Sequence, residues 1–205
     1  MSNIGVFIPA RLSSSRIKEK MLLEIDGKPL IRGVYDKVKQ FGYDTYVVTD
    51  STKIASLFPK NSILTGNHEN GTARIASLVD IFNYSHYINV QGDLIDVEKE
   101  LVDKVASMLS KEEVVTAYTK HPTSVRVVHN DLYANWFTRA NLGYGDFHVG
   151  IYGYSSAALK WYSNNDRDKA EEIEDLEQLR FFNKYKIAVF NYNYIGREIN
   201  TKNDL

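Results

Sequence analysis

The chain has 205 residues, 43% hydrophobic and 25% charged, with a net charge of −1. That length suits one well-cored globular domain, and the near-neutral balance gives no global attraction to nucleic acid or to an anionic membrane. With no cysteine, disulfides, thiolate metal sites and cysteine nucleophiles are excluded.

No apolar stretch reaches membrane-spanning length. The opening MSNIGVFIPA lacks the basic and apolar regions of a signal peptide, so the cytoplasm is the expected compartment. Asn3–Ile8 is a short β-branched run that predicts a buried strand; Pro9 closes it and a loop rich in Ser and Arg follows. Helical spacing over Ile31–Phe41 stops at Gly42, the next strand is Thr45–Thr49, and Ser51–Leu57 reads as a short helix. Thr72–Asn83 predicts a longer helix with Ile75, Leu78, Val79 and Phe82 on one face.

A strand at Tyr87–Val90 runs into Gln91-Gly92-Asp93, followed by a helix over Lys99–Leu109 and a strand over Glu113–Thr119. Strands alternating with helices imply a largely parallel sheet covered on both faces. Beyond this the pattern changes: Ser124–Val128, Ala134–Thr138 and His148–Tyr154 predict an embedded sheet extension at about residues 120–160. Helices near Ser156–Tyr162 and Glu174–Lys184 and a last strand at Lys186–Tyr192 complete the chain. No repeat or linker interrupts it, so residues 1–205 read as one α/β domain with a mixed, mostly parallel sheet flanked by helices.

The segment from Arg11 to Lys20 carries four cations in ten residues directly after the first strand. At the carboxyl end of a parallel strand it would face the ligand crevice, where Ser hydroxyls, loop N–H groups and cations suit phosphate. A solvated surface loop is an equal reading of its composition. The glycines of a Walker loop are missing.

The string IPARLSSSRIKEK-MLLEIDGKPLI resembles the opening of the CMP-3-deoxy-manno-octulosonate synthetases. The resemblance places Arg11, Ser14, Arg16 and Lys20 on the family's triphosphate-binding positions, with Ala10 beside them, and Gly27-Lys28-Pro29 on its next motif. Lys18-Glu19 stands where the family has Pro-Gly. His68-Glu69-Asn70-Gly71-Thr72-Ala73-Arg74 resembles a second nucleotide-holding motif, which implies that Gly71, Thr72 and Arg74 bind nucleotide. Taken alone, that segment reads as a helix start capped by Asn70.

Ile88-Asn89-Val90-Gln91-Gly92-Asp93 is similar to the family's most distinctive string, although Leu94-Ile95-Asp96 departs from its continuation. A carboxylate just past a strand end is well placed to hold Mg²⁺ against phosphates, though an Asp after Gly is also an ordinary turn residue. His148-Val149-Gly150-Ile151-Tyr152 and Leu176-Glu177-Gln178-Leu179-Arg180 resemble the sugar-binding strand and helix. Asn200, in the terminal motif, stands where the family has its second metal carboxylate. An amide oxygen can ligate Mg²⁺ but brings no charge, so the metal site is expected to lean on Asp93.

The resemblance implies a nucleotidyltransferase fold of the glycosyltransferase-A type and the transfer of CMP from CTP to the anomeric hydroxyl of an acidic sugar. It assigns Arg11, Arg16, Lys20 and Asp93 to catalysis, Gln91, His148, Glu177 and Gln178 to the sugar, and Asp93 with Asn200 to Mg²⁺. It also implies lipopolysaccharide biosynthesis as the setting and a homodimer as the assembly, with no nucleic-acid or membrane partner. Family members carry a longer insertion where this chain has only Ala140–Phe147, so the sugar is less fixed than the reaction. Another acidic sugar or nucleotide is the nearest alternative. A homologue that binds nucleotide without turnover is the other, and pyrophosphate release separates it.

Overall fold

The computed structural model describes residues 3–12, 17 and 19–196. Strand β1 (Ile4–Ala10) has Val6, Phe7 and Ile8 fully buried, the pattern of a strand covered on both faces. A 3₁₀ turn, Lys20–Leu22, leads into a small hairpin of β2 (Glu24–Ile25) and β3 (Lys28–Pro29). Asp26 and Gly27 join them with φ of 50° and 77°, the two left-handed residues that a tight Asp-Gly hairpin turn needs.

Helix α1 (Leu30–Lys39) buries Leu30, Ile31, Val34, Tyr35 and Val38. Next come β4 (Asp44–Thr49), α2 (Thr52–Ala55), capped by the Ser51 hydroxyl, and β5 (Ser62–Leu64). After α3 (Gly71–Ala76) follow β6 (His86–Val90), α4 (Lys99–Met108) and β7 (Val114–Thr119). The extension is β8 (Arg126–His129), β9 (Ala134–Thr138) and β10 (Asp146–Ser155). The chain continues through α5 (Ser156–Ser163), α6 (Lys169–Glu174), a 3₁₀ segment at Glu177–Asn183, and β11 (Ala188–Asn191).

Among the described residues one sheet runs in the order β11-β7-β10-β6-β1-β4-β5, with β8 pairing β10 and β9. β1 is parallel to both β4 and β6, whereas β10 is antiparallel to β6 and β7, which gives the mixed, mostly parallel sheet. From β1 the chain moves outward through β4 and β5, then returns to β6 on the opposite side of β1. Such a reversal opens a crevice at the carboxyl ends of β1 and β6.

One face of the sheet is covered by a core that includes Val6, Ile8, Ile31, Val34 and Val102; the other holds Phe7, Ile75, Tyr87, Tyr154 and Tyr162. No described helix is long and apolar enough to cross a membrane.

Two expectations need correction. The helix expected over Thr72–Asn83 ends at Ala76, and turns follow in which Leu78 and Ile81 donate three residues back, to Ile75 and Leu78. The helix expected from Glu174 is two pieces, because Asp175 turns left-handed (φ 52°) after α6 and a 3₁₀ segment starts at Glu177. The edge strand β5 and the β2–β3 hairpin were not expected at all.

Candidate active site

A cavity of about 830 Å³ opens at the carboxyl ends of β1 and β6. From β1 come Pro9, Ala10 and the exposed Arg11. Past β6 come Gln91, Gly92 and Asp93, and the fully buried Asn89 lines the same cavity. Lys20, at the start of the 3₁₀ turn, reaches across so that its ammonium lies 2.5 Å from the Asp93 carboxylate. Ser14, Arg16 and Asn200 lie outside the described residues.

The segment before α3 brings His68, Glu69, Asn70 and Gly71 to the wall, and Arg74 follows one turn later. Gly71 packs tightly, since a Cβ there would lie 3.0 Å from the Pro9 ring. Arg74 is buried and holds the strand ends together, donating to Asp50 at 2.9 Å and to the Thr65 hydroxyl at 2.5 Å. Thr72 stands behind the wall: its hydroxyl pairs with Tyr154 at 2.7 Å, and its N–H donates to the Glu177 carboxylate at 3.0 Å. Burial lowers the His68 pKa, and the Arg74 charge lowers it further.

The opposite wall comes from β10 and the break after α6. His148 is buried, and burial, with help from Arg139, pushes its pKa down to about 3. Because the Thr116 hydroxyl donates to the Ile151 carbonyl at 2.6 Å, it accepts from His148 Nε2 at 2.9 Å. The imidazole is therefore neutral with its proton on Nε2, which leaves Nδ1 as an acceptor.

The β10 ladder shifts register between Val149 and Tyr152, a bulge that includes Gly150. A Cβ on Gly150 would lie 2.7 Å from Gln91 Oε1, so the missing side chain is what lets Gln91 lie across the strand. Gln178 is also buried: its Oε1 accepts from the Tyr152 hydroxyl at 3.2 Å, and its Nε2 has no protein partner. That amide is oriented by one bond and has its donor free for a ligand. Burial holds the Glu177 carboxyl above its ordinary range and Glu171 adds to this, while N–H donation from Thr72 and Gly71 opposes it.

Arg139 and Arg167 also line the cavity, and the sequence reading assigned neither to the site. Arg139 follows β9 and reaches toward the Asp175 carbonyl at 3.4 Å. Its signal in the sequence is a cation at the end of a strand that leads into the shortened loop. The Arg180 of the EQLR string is buried and bound to Glu171 and Glu69, so it braces the wall.

Among the described residues no group of three His, Asp or Glu gathers as a metal cage. Asp93 nevertheless already receives a cation in the form of the Lys20 ammonium. A single carboxylate beside a place for phosphates fits Mg²⁺, which binds through few carboxylates plus substrate oxygens.

A cytidylyltransferase family model matches residues 6–187. The chain is 35% identical to the 3-deoxy-manno-octulosonate cytidylyltransferase of Francisella tularensis subsp. holarctica (strain LVS), over 92% of this chain and 90% of the relative. It is 36% identical to the enzyme of that name from Pseudoalteromonas atlantica, over 87% and 85%. A solved structure of CMP:2-keto-3-deoxy-manno-octonic acid synthetase complexed with CTP superposes with a TM-score of 0.86 at 30% identity, covering 98% of this chain and 94% of that one. Sequence and fold agree over nearly the whole length, and the chain belongs to the 3-deoxy-manno-octulosonate cytidylyltransferase family.

Proposed function

We propose that this protein transfers CMP from CTP to the anomeric hydroxyl of 3-deoxy-manno-octulosonate or a close relative and releases pyrophosphate. The observation that carries the reading is one cavity lined by two unlike sets of groups. Arg11 and the Lys20–Asp93 pair form one set, and His148, Gln178 and Arg139 belong to the other. The first set suits a triphosphate. The second offers hydrogen-bonding groups for sugar hydroxyls and a cation for a carboxylate.

In the reaction the sugar oxygen loses its proton to solvent and forms a bond to the α-phosphorus, while the bond from that phosphorus to the oxygen bridging the β-phosphate breaks and the electron pair leaves with pyrophosphate. Arg11 and Lys20, with Arg16, neutralise the departing pyrophosphate, and positioning and charge supply most of the acceleration. Gln91, Glu177, Gln178 and His148 Nδ1 fix the sugar ring, with Arg139 on its carboxylate. His148 holds no titratable proton at neutral pH, so it orients and does not protonate. Asp93 would hold Mg²⁺, with Asn200 assisting, and Lys20 would then be free for phosphate. When bound, the ion supplies charge at the phosphates and lowers the pKa of the attacking hydroxyl.

A homodimer fits the extension, where Leu132, Trp136 and Tyr144 are exposed and, among the described residues, β9 pairs with β8 alone. Phosphorus NMR of a mixture of protein, Mg²⁺, CTP and sugar tests the activity. A new phosphodiester signal should rise together with pyrophosphate.

A further inference from the structure

Glu19 is the residue immediately before Lys20, and it stands where the resembling family carries glycine. Its backbone is left-handed, with φ 52° and ψ 35°. A residue with a β-carbon disfavours that region, whereas glycine enters it freely. This turn sets where Lys20 leaves the chain, because the Glu19 carbonyl accepts from Leu22 N–H at 2.8 Å to close the 3₁₀ turn that Lys20 begins. The Lys20 ammonium then meets Asp93.

The Glu19 carboxylate does not point into the cavity. It accepts from the ammonium of Lys53 on α2 at 3.0 Å. Lys53 is itself outside the cavity wall, so it has no direct route to a ligand there. α2 is in turn anchored: Ile54 is fully buried, and the loop after it is tied to α1 by the Arg32 guanidinium donating to the Leu57 carbonyl at 2.9 Å. Lys53 therefore presents its charge from a fixed element to a turn that is otherwise unfavourable for Glu.

We infer that Lys53 is a positioning residue for nucleotide binding: it holds Glu19 in the left-handed turn and thereby aims Lys20. The inference rests on CTP being the ligand of the Lys20 end. An exposed ion pair and a left-handed non-glycine residue are opposing effects of similar size, so losing the pair releases the turn without unfolding the protein.

The experiment is titration calorimetry of the full chain with CTP and Mg²⁺, alongside melting temperatures. Lys53→Ala should weaken CTP binding about threefold, the size of one exposed ion pair, with the melting temperature almost unchanged. Lys53→Arg should bind like the wild type. In the double variant Glu19→Gly with Lys53→Ala, wild-type affinity should return, because glycine takes the turn without a tether.

Wild-type affinity in Lys53→Ala would overturn the inference. So would a double variant as weak as Lys53→Ala, which would mean that Lys53 acts on the ligand directly. No CTP binding by the wild type would instead overturn the proposed function, so the two failures are distinguishable.

Discussion

The Lys20 ammonium and the Asp93 carboxylate lie 2.5 Å apart and join the segment after β1 to the segment after β6. Each is mostly shielded, with 12% and 20% of the side chain exposed, so neither charge is well served by water alone. On the proposed reading, Mg²⁺ arriving with phosphate would take the place of Lys20 at this carboxylate. Asp93→Asn should therefore lower turnover by about a hundredfold or more, a loss typical for a principal electrostatic group. CTP affinity should hold or rise, because Lys20 is released toward phosphate. Calorimetry and steady-state rates on the same variant separate the two effects.

The metal assignment of Asn200 has its own test. Asn200→Asp should lower the Mg²⁺ concentration that gives half-maximal rate, since a second carboxylate adds charge at the ion. A magnesium titration of initial rates reads this directly.

His148 gives a prediction about pH. Its folded pKa is about 3, below the unfolded value of about 6.5, so below pH 6.5 the unfolded chain binds the extra proton. The group's contribution is complete above that pH and declines as pH falls, by about 2 kcal/mol at pH 5. Thermal unfolding of wild type and His148→Gln at pH 7.5 and 5 should show a smaller acid loss in the variant. Nitrogen NMR should report a neutral ring protonated on Nε2 from pH 5 to 9.

Gly150→Ala should disturb one ligand and not the other. The new methyl would meet Gln91 Oε1, so Gln91 must move. The KM for the sugar should rise about tenfold, near the value of one good hydrogen bond, with the CTP dissociation constant unchanged.

Arg139 is the cation assigned to the sugar carboxylate. Arg139→Ala should raise the sugar KM by about ten- to a hundredfold, the range for a charge-assisted bond. Arg139→Lys should recover part of that loss, since the charge remains but the planar fork does not.

Much of this was legible in the sequence because it is written in continuous patterns. The β-branched run of β1, the periodic face of α1 and the Gln91-Gly92-Asp93 strand end all lie where the sequence puts them. Glu177 and Gln178 line the cavity, but through a left-handed break at Asp175 that helical spacing across residues 173–180 hides. Ile75, Leu78, Val79 and Phe82 misled for a related reason. Spacing of three and four residues buries side chains in successive turns as well as in an α-helix.

β5 escaped because three residues carry no period. Arg139 and Arg167 escaped because a lone cation after a strand or before a helix looks like any solvated side chain, and only the fold brings them to the cavity rim. The partners of Arg74 and Thr72 also come only with the fold, since nothing in the local sequence shows that Arg74 donates to Asp50 or that the Thr72 hydroxyl pairs with Tyr154.

The central claim is transfer from CTP to an acidic sugar, and the most direct measurement is pyrophosphate release with each of CTP, UTP, ATP and GTP, with and without 3-deoxy-manno-octulosonate. Release that requires both CTP and the sugar, and that is at least about tenfold slower with the other nucleotides, is the predicted result. CTP that binds without releasing pyrophosphate across a panel of acidic sugars, or UTP turned over equally well, would contradict the account.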